Sequence, residues 1–264
     1  MLDHLFPILG NHSVDRSTIT LYLPQEFIKP EKLFEKINKE GYFMLKFQRR
    51  NLIKKRIINI QDKENSLSII EGKTDEDIIG FVLEQYNSEG ELENILALQN
   101  NNDKAVINFE TRKYIRWENF FNSFFEDFKN LIKGNEFYFE AINLTYVDEF
   151  IWKSEERIPV EEIFQKDSEL INSKFLKSKN GTIVLLSQNE DHNIEEKTEI
   201  SFNNELKRVQ IIHQHATKFK DILDSNNLIE KDNINSLLEI AHISNKETLK
   251  DLFTETIKEK INLK

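Results

Sequence analysis

His213-Gln214-His215 is the place in this sequence where residue types and spacing most readily suggest chemistry. On a strand, two residues separated by one point to the same face. Two imidazoles so placed could hold a divalent ion or share acid–base work. Asp221 and Asp224 follow closely and could add carboxylates. A metal-dependent hydrolase or nuclease built this way would use His213 and His215 as ligands and Asp221 to complete the shell. Val209 and Ile211 share the face of the two histidines. The structural alternative is therefore a strand end whose imidazoles pack or hydrogen-bond.

A second group is basic. Lys46, Arg49, Arg50, Lys54, Lys55 and Arg56 follow one another with no acid between them. On an acidic chain this concentrates positive potential, which suits a nucleotide, a nucleic acid or an acidic partner surface. Arg49, Arg50, Lys54, Lys55 and Arg56 are the candidate ligand- or partner-binding residues. The alternative is a solvated hairpin tip whose charges block edge-to-edge association. The acidic groups Asp75-Glu76-Asp77, Glu155-Glu156, Glu161-Glu162 and Glu190-Asp191 fit neither an EF-hand nor a two-metal spacing. There is no Walker phosphate loop, no G-x-G-x-x-G, no G-x-S-x-G and no H-E-x-x-H. The sequence thus holds no complete catalytic constellation, names no catalytic residue and implies no cofactor.

Composition bounds the rest. The 264 residues carry 36 Lys and Arg against 46 Asp and Glu, a formal charge of −10, which disfavours non-specific nucleic-acid binding. The absence of cysteine excludes a disulfide scaffold, a thiol nucleophile and Cys-ligated metals. Twenty phenylalanines argue for a packed core. No run approaches the roughly 18 apolar residues of a membrane helix, and the first residues do not read as a signal peptide. A soluble cytoplasmic protein is expected, with no membrane contact.

The elements that must position these groups follow from periodicity. Thr18–Leu23 alternates as a strand and stops at Pro24. Pro30 opens a helix through Leu33, Phe34 and Ile37, with Gly41 placed to cap its end. Phe43, Leu45 and Phe47 alternate, predicting a returning strand, and Arg49–Arg56 reads as a hairpin or loop before the apolar stretch Ile57–Ile60. Three antiparallel strands are expected at Ile79–Tyr86, Leu92–Leu98 and Lys104–Phe109. Trp117, Phe121, Phe124, Phe128 and Leu131 form a helical stripe ended by Gly134, and Phe137–Val147 is a long strand. Ser154–Asp167 is polar, carries Pro159 and is the expected boundary. Thr182–Gln188, Ile194–Phe202 and Leu206–His213 are further strands. Two helices close the chain, one capped by Asp232 and one starting at a Ser244/Glu247 capping box. The fold class is α+β: antiparallel sheets with helices packed on one side, in two similar-sized halves, 1–153 and 168–264.

Tyr114-Ile115-Arg116-Trp117-Glu118-Asn119-Phe120, then Ala141–Asp148, then Leu238–His242 with Leu252-Phe253 and Thr254–Thr256 resemble the motifs of a sporadically distributed prokaryotic family of uncharacterised proteins of about this length. That family has a Tyr-x-x-Trp helix start, a strand resembling Leu-Arg-Tyr-Ile-Asn and a closing Leu-His helix. Asn143-Leu144-Thr145-Tyr146 stands where the family's strand has its Arg. The resemblance implies no established enzyme activity. The family's patchy distribution is of the kind expected of defence or toxin–antitoxin genes, which implies a protein partner encoded nearby. The expected function is a non-catalytic binding, sensor or antitoxin-like accessory subunit. The metal-dependent hydrolase and a nucleotide or nucleic-acid sensor using Lys46–Arg56 are the alternatives.

Overall fold

Alternating apolar residues and short Asn- or Gly-containing turns dictate a sheet-rich chain. The computed structural model describes residues 2–10, 12–56, 60–63, 66–69, 76–190, 192–230 and 233–263. Most of the expected apolar stretch Ile57–Ile60, the Asp232 cap, Asp75 and Asp191 lie outside the described residues.

In chain order the elements are β1 (Leu5–Pro7), β2 (Val14–Leu23), α1 (Pro30–Ile37), α2 (Gly41–Lys46), β3 (Arg49–Arg56), β4 (Ile60–Lys63), β5 (Ser66–Ile69), β6 (Glu76–Tyr86), β7 (Leu92–Asn101) and β8 (Lys104–Thr111). After α3 (Trp117–Ile132) come β9 (Tyr138–Trp152), α4 (Val160–Ile163), α5 (Ser173–Lys177), β10 (Gly181–Asn189), β11 (Ile194–Asn203) and β12 (Arg208–Asp224). The chain continues through α6 (Ser225–Glu230), α7 (Asn233–Leu252) and α8 (Glu255–Lys260). The pairs β1–β9, β10–β11, β11–β12, β12–β9, β3–β6, β4–β5 and β6–β7 are antiparallel and helices accompany the sheet, an α+β fold.

The chain divides into two compact units, one formed by 1–21 together with 109–264, the other by 22–108. In the smaller unit the strands run in the order β8-β7-β6-β3. Its core includes Leu33, Ile37, Phe43, Phe47, Phe81, Leu83, Leu96 and Leu98. Gly90 (φ 82°) and Asn102 (φ 56°) take the left-handed conformations that the two meander turns require. Residues 43–47 are not a strand as expected: Phe43 falls in α2 and Phe47 follows it, four residues apart on one buried face, while Leu45 is exposed. Gly41 accordingly starts α2 rather than capping α1. Arg49–Arg56 is not a loop but the strand β3, paired with β6.

In the larger unit the strands run β10-β11-β12-β9-β2, with β1 also on β9. The segment Ser154–Asp167 lies within this unit. Ile158, Val160, Ile163 and Phe164 are buried in its core with Phe150, Phe202, Leu249 and Phe253. Gln165 Nε2 donates to the carbonyls of Lys250 (2.8 Å) and Phe253 (2.7 Å), closing the end of α7. The Phe-rich stripe of α3 buries Phe124, Phe128 and Leu131, with Phe109 edge-on to Phe124 at 4.9 Å between centroids. The closing helices differ from expectation. α7 runs unbroken through Ser244, so Ser244 and Glu247 form no cap; the break comes at Phe253-Thr254, before α8.

Candidate functional site

Register places polar groups on one face of the larger sheet. Cross-strand partners share a face, and the pairs His215↔Leu144, His213↔Tyr146, Ile211↔Asp148 and Val209↔Phe150 join β12 to β9. The pairs Glu196↔His215, Thr198↔His213 and Ile200↔Ile211 extend that face onto β11. Helix α7 lies over it. His242, Ser244 and Thr248 bond to Tyr146, Glu196 and His213 respectively. The face is apolar around Phe150 and Val209 and becomes polar toward Asp148, Tyr146 and the two histidines.

Next to Asp148 is a cleft of about 880 Å³, lined from β9 (Tyr146, Asp148), α7 (Glu239, His242, Asn245, Lys246), residues 114–118 and the segment His12–Val14. Asp148 is fully buried, and Ser13 Oγ donates to its Oδ1 at 2.5 Å. Burial pushes the Asp148 carboxyl up to about 6, against the opposing pull of the Ser13 bond. Tyr146 hydroxyl lies 2.9 Å from His242 Nδ1 and also bonds the Tyr114 hydroxyl. Burial pushes the Tyr114 phenol up to about 12 and Tyr146 well above its ordinary range. His242 is held down to about 4, first by burial and then by the Lys246 charge. Burial also lowers His12, whose ring bonds the Tyr114 backbone. At neutral pH both imidazoles are therefore uncharged. Trp117 stacks on His242, with centroids 4.7 Å apart and an 11° interplanar angle, and its Nε1 donates to Glu239 Oε2 at 2.6 Å. His12 Nδ1, Asp148 Oδ2 and Asn245 Oδ1 are buried without a hydrogen-bond partner among the described residues.

No protein-family model matches this chain, and no curated protein or solved structure was found to be similar to it.

His213 and His215 do share one buried face, as their spacing predicts. Their neighbours are Glu196, Ser244 and Thr248. His215 Nδ1 lies 2.8 Å from Glu196 Oε1, Ser244 Oγ donates to the same oxygen, and Thr248 Oγ1 is 3.4 Å from His213 Nε2. The hydrogen bond to His215 leads the effects that hold Glu196 down to about 2, against its partial burial; burial holds His213 down to about 4. Asp221 is exposed, within the stretch where the β12–β9 register is interrupted. Among the described residues no three His, Asp or Glu side chains are grouped to hold a metal ion.

The basic residues are spread by the pleat of β3. Arg49 stands opposite Glu84 and pairs with it at 3.4 Å, while Lys54 stands opposite Ile78 and Lys55 opposite Asp77. Arg50 is half-buried, and the Arg56 side chain lies outside the described residues. Neighbouring acids thus offset part of this potential, at Glu84 and Asp77. Among the described residues no helix is long and apolar enough to cross a membrane.

Sequence reasoning missed the cleft as a site. In the sequence Tyr114, Trp117, Tyr146, Asp148, Glu239 and His242 stand out only as parts of secondary-structure elements or of the motifs of the resemblance, and nothing marks His12, Ser13 or Asn245. One signal was available: Asp148 follows Leu144 and Tyr146 at two-residue steps, and Phe150 continues the row. An acid in an apolar row of a strand is a buried polar group that needs a reason.

Proposed function

We propose that the protein is a cytoplasmic, non-catalytic sensor or accessory subunit of a bacterial defence or stress module, holding a small ligand in the cleft beside Asp148 and acting through a protein partner. One observation carries this reading. His12, Asp148 and Asn245 line one cleft, and each keeps a buried side-chain polar atom (Nδ1, Oδ2 and Oδ1 respectively) without a hydrogen-bond partner among the described residues. Buried polar groups left unpaired are costly, and where several line one roomy cleft a ligand is the natural complement. The partner half of the reading is supported by the edge strand β10, which exposes Val184 and Leu186. An unpaired strand edge is a ready surface for an added strand. The charge of −10 suits a basic partner, and the resemblance to a patchily distributed family suits a mobile defence gene.

The test is isolation of the protein from its native cells, followed by native mass spectrometry. The expected result is a co-purifying small molecule whose removal lowers the melting temperature, together with a protein partner lost on Leu186→Lys. A ligand-free protein whose melting point no small-molecule set raises would sink the reading.

A further inference from the structure

We infer that the cleft beside Asp148 is built for a small organic cation carrying at least two N–H donors, an alkylammonium or a guanidinium. This rests on the cleft being a ligand site, as proposed above, and adds the chemical class. The argument starts from what the walls can do. Asp148 Oδ2 and Asn245 Oδ1 are oxygens of a carboxyl and an amide; unless the carboxyl is protonated, both can only accept. Asp148 is 0% exposed and Asn245 4%. The third unpartnered atom, His12 Nδ1, is an acceptor in the neutral ring whose other nitrogen donates to the Tyr114 backbone. A ligand that satisfies all three must bring hydrogens.

Charge points the same way. A carboxylate taken wholly out of water is costly unless it is paired. Among the described residues, no lysine, arginine or histidine makes an ion pair with Asp148, whose hydrogen-bond partner is the neutral Ser13 hydroxyl. The two imidazoles of the cleft are held in their neutral forms by burial. A second carboxyl, that of Glu239, is fixed at the cleft by the Trp117 indole. A cation there would gain from both acids, and an N–H bonded to an ionised oxygen makes the stronger, charge-assisted kind of bond. The cations of the lining, Arg116 and Lys246, have exposed side chains. They define the competing case, an anionic ligand.

The experiment is titration calorimetry on the full chain at pH 7.5 with four probes: methylguanidine, butylamine, tetramethylammonium and succinate. Methylguanidine or butylamine should bind saturably, and tetramethylammonium, of the same single positive charge but without N–H groups, should bind at least about tenfold more weakly, the size of one charge-assisted hydrogen bond. Asp148→Asn should weaken amine binding by about tenfold or more for the same reason. If that variant does not fold, Glu239→Gln, at a partly exposed position, should still weaken the amines several-fold while leaving the melting curve in place. Succinate binding without amine binding, or equal binding of tetramethylammonium, overturns the assigned class. A neutral or acidic molecule co-purifying in the cleft also overturns it and leaves the ligand-site reading standing. No binding by any probe, with no co-purified ligand, removes both.

Discussion

Ser13 and Asp148, 135 positions apart in sequence, are joined by a 2.5 Å hydrogen bond in the interior. The bond satisfies one carboxyl oxygen and leaves the other buried without a partner among the described residues. Its pH behaviour follows from the Asp148 pKa, about 6 in the folded protein against 3.8 for the free side chain. Between those values the folded protein holds a proton that the unfolded chain has released. Burying Asp148 therefore costs stability as pH rises from about 4 through 6, approaching 2–3 kcal/mol at neutral pH, on the order of 1.4 kcal/mol per pH unit. Asp148→Asn removes the ionisable group and should be as stable as or more stable than the parent at pH 7.5. That advantage should vanish near pH 4. Urea denaturation across this range measures it.

His213 should act in the opposite sense. Its imidazole sits at about 4 when folded and 6.5 when free. Protonation then favours the unfolded chain, so the contribution of His213 is intact above pH 6.5 and falls as pH drops toward 4. Between pH 7 and 5 the loss should be about 2 kcal/mol. The clean comparison is Asp148→Asn with and without His213→Gln, because the Asp148 effect is absent from both. A pH slope unchanged by His213→Gln would contradict the burial assigned to that ring.

Glu196 is the shared acceptor for His215 and Ser244. In Glu196→Ala the His215 Nδ1 loses its partner on a ring whose Nε2 is already unpartnered among the described residues. The cost should be about 1–3 kcal/mol of stability by thermal melting. Glu196→Gln keeps an acceptor and should recover most of it.

Gly80 stands against β7 with no room for a side chain. A Cβ added there would fall 2.0 Å from the Leu98 carbonyl oxygen. The register of β3 on β6 also slips next to it, between Ile53 and Lys54. Gly80→Ala should cost about 3 kcal/mol, at the upper end of overpacking, because the obstructing atom is backbone. Hydrogen exchange should show the loss in β6 and β7.

Local pattern made much of this fold legible. The alternation in β2, the stripe of α3 and the Asn and Gly turns each state their element within a few neighbouring residues. Where local rules tie, they mislead. Phe43 and Phe47, four apart with Leu45 between, fit a strand and a helix turn equally, and burial of the two phenylalanines in a helical segment decided it. Ser244 and Glu247 have capping-box spacing, yet the Ser244 hydroxyl is taken by Glu196 on a strand 48 positions earlier. The cleft was illegible for a related reason. Ser13, Tyr114, Asp148 and His242 come from four separate stretches, and no window of sequence holds two of them together. The shared face of His213 and His215 was foreseen because a strand's period needs only three residues to declare itself.

The larger unit is interrupted in sequence, with residues 22–108 set between its first stretch and its remainder. On the ribosome the inserted unit emerges before most of the larger one has been made. The segment carrying Ser13 must wait, unpaired with Asp148, until some 130 further residues have been made. α7 is later still. The pocket is thus among the last features to exist during synthesis, and a nascent or truncated chain lacking α7 would keep His12 and Asp148 but lose Glu239, His242 and Asn245, and with them one wall of the cleft.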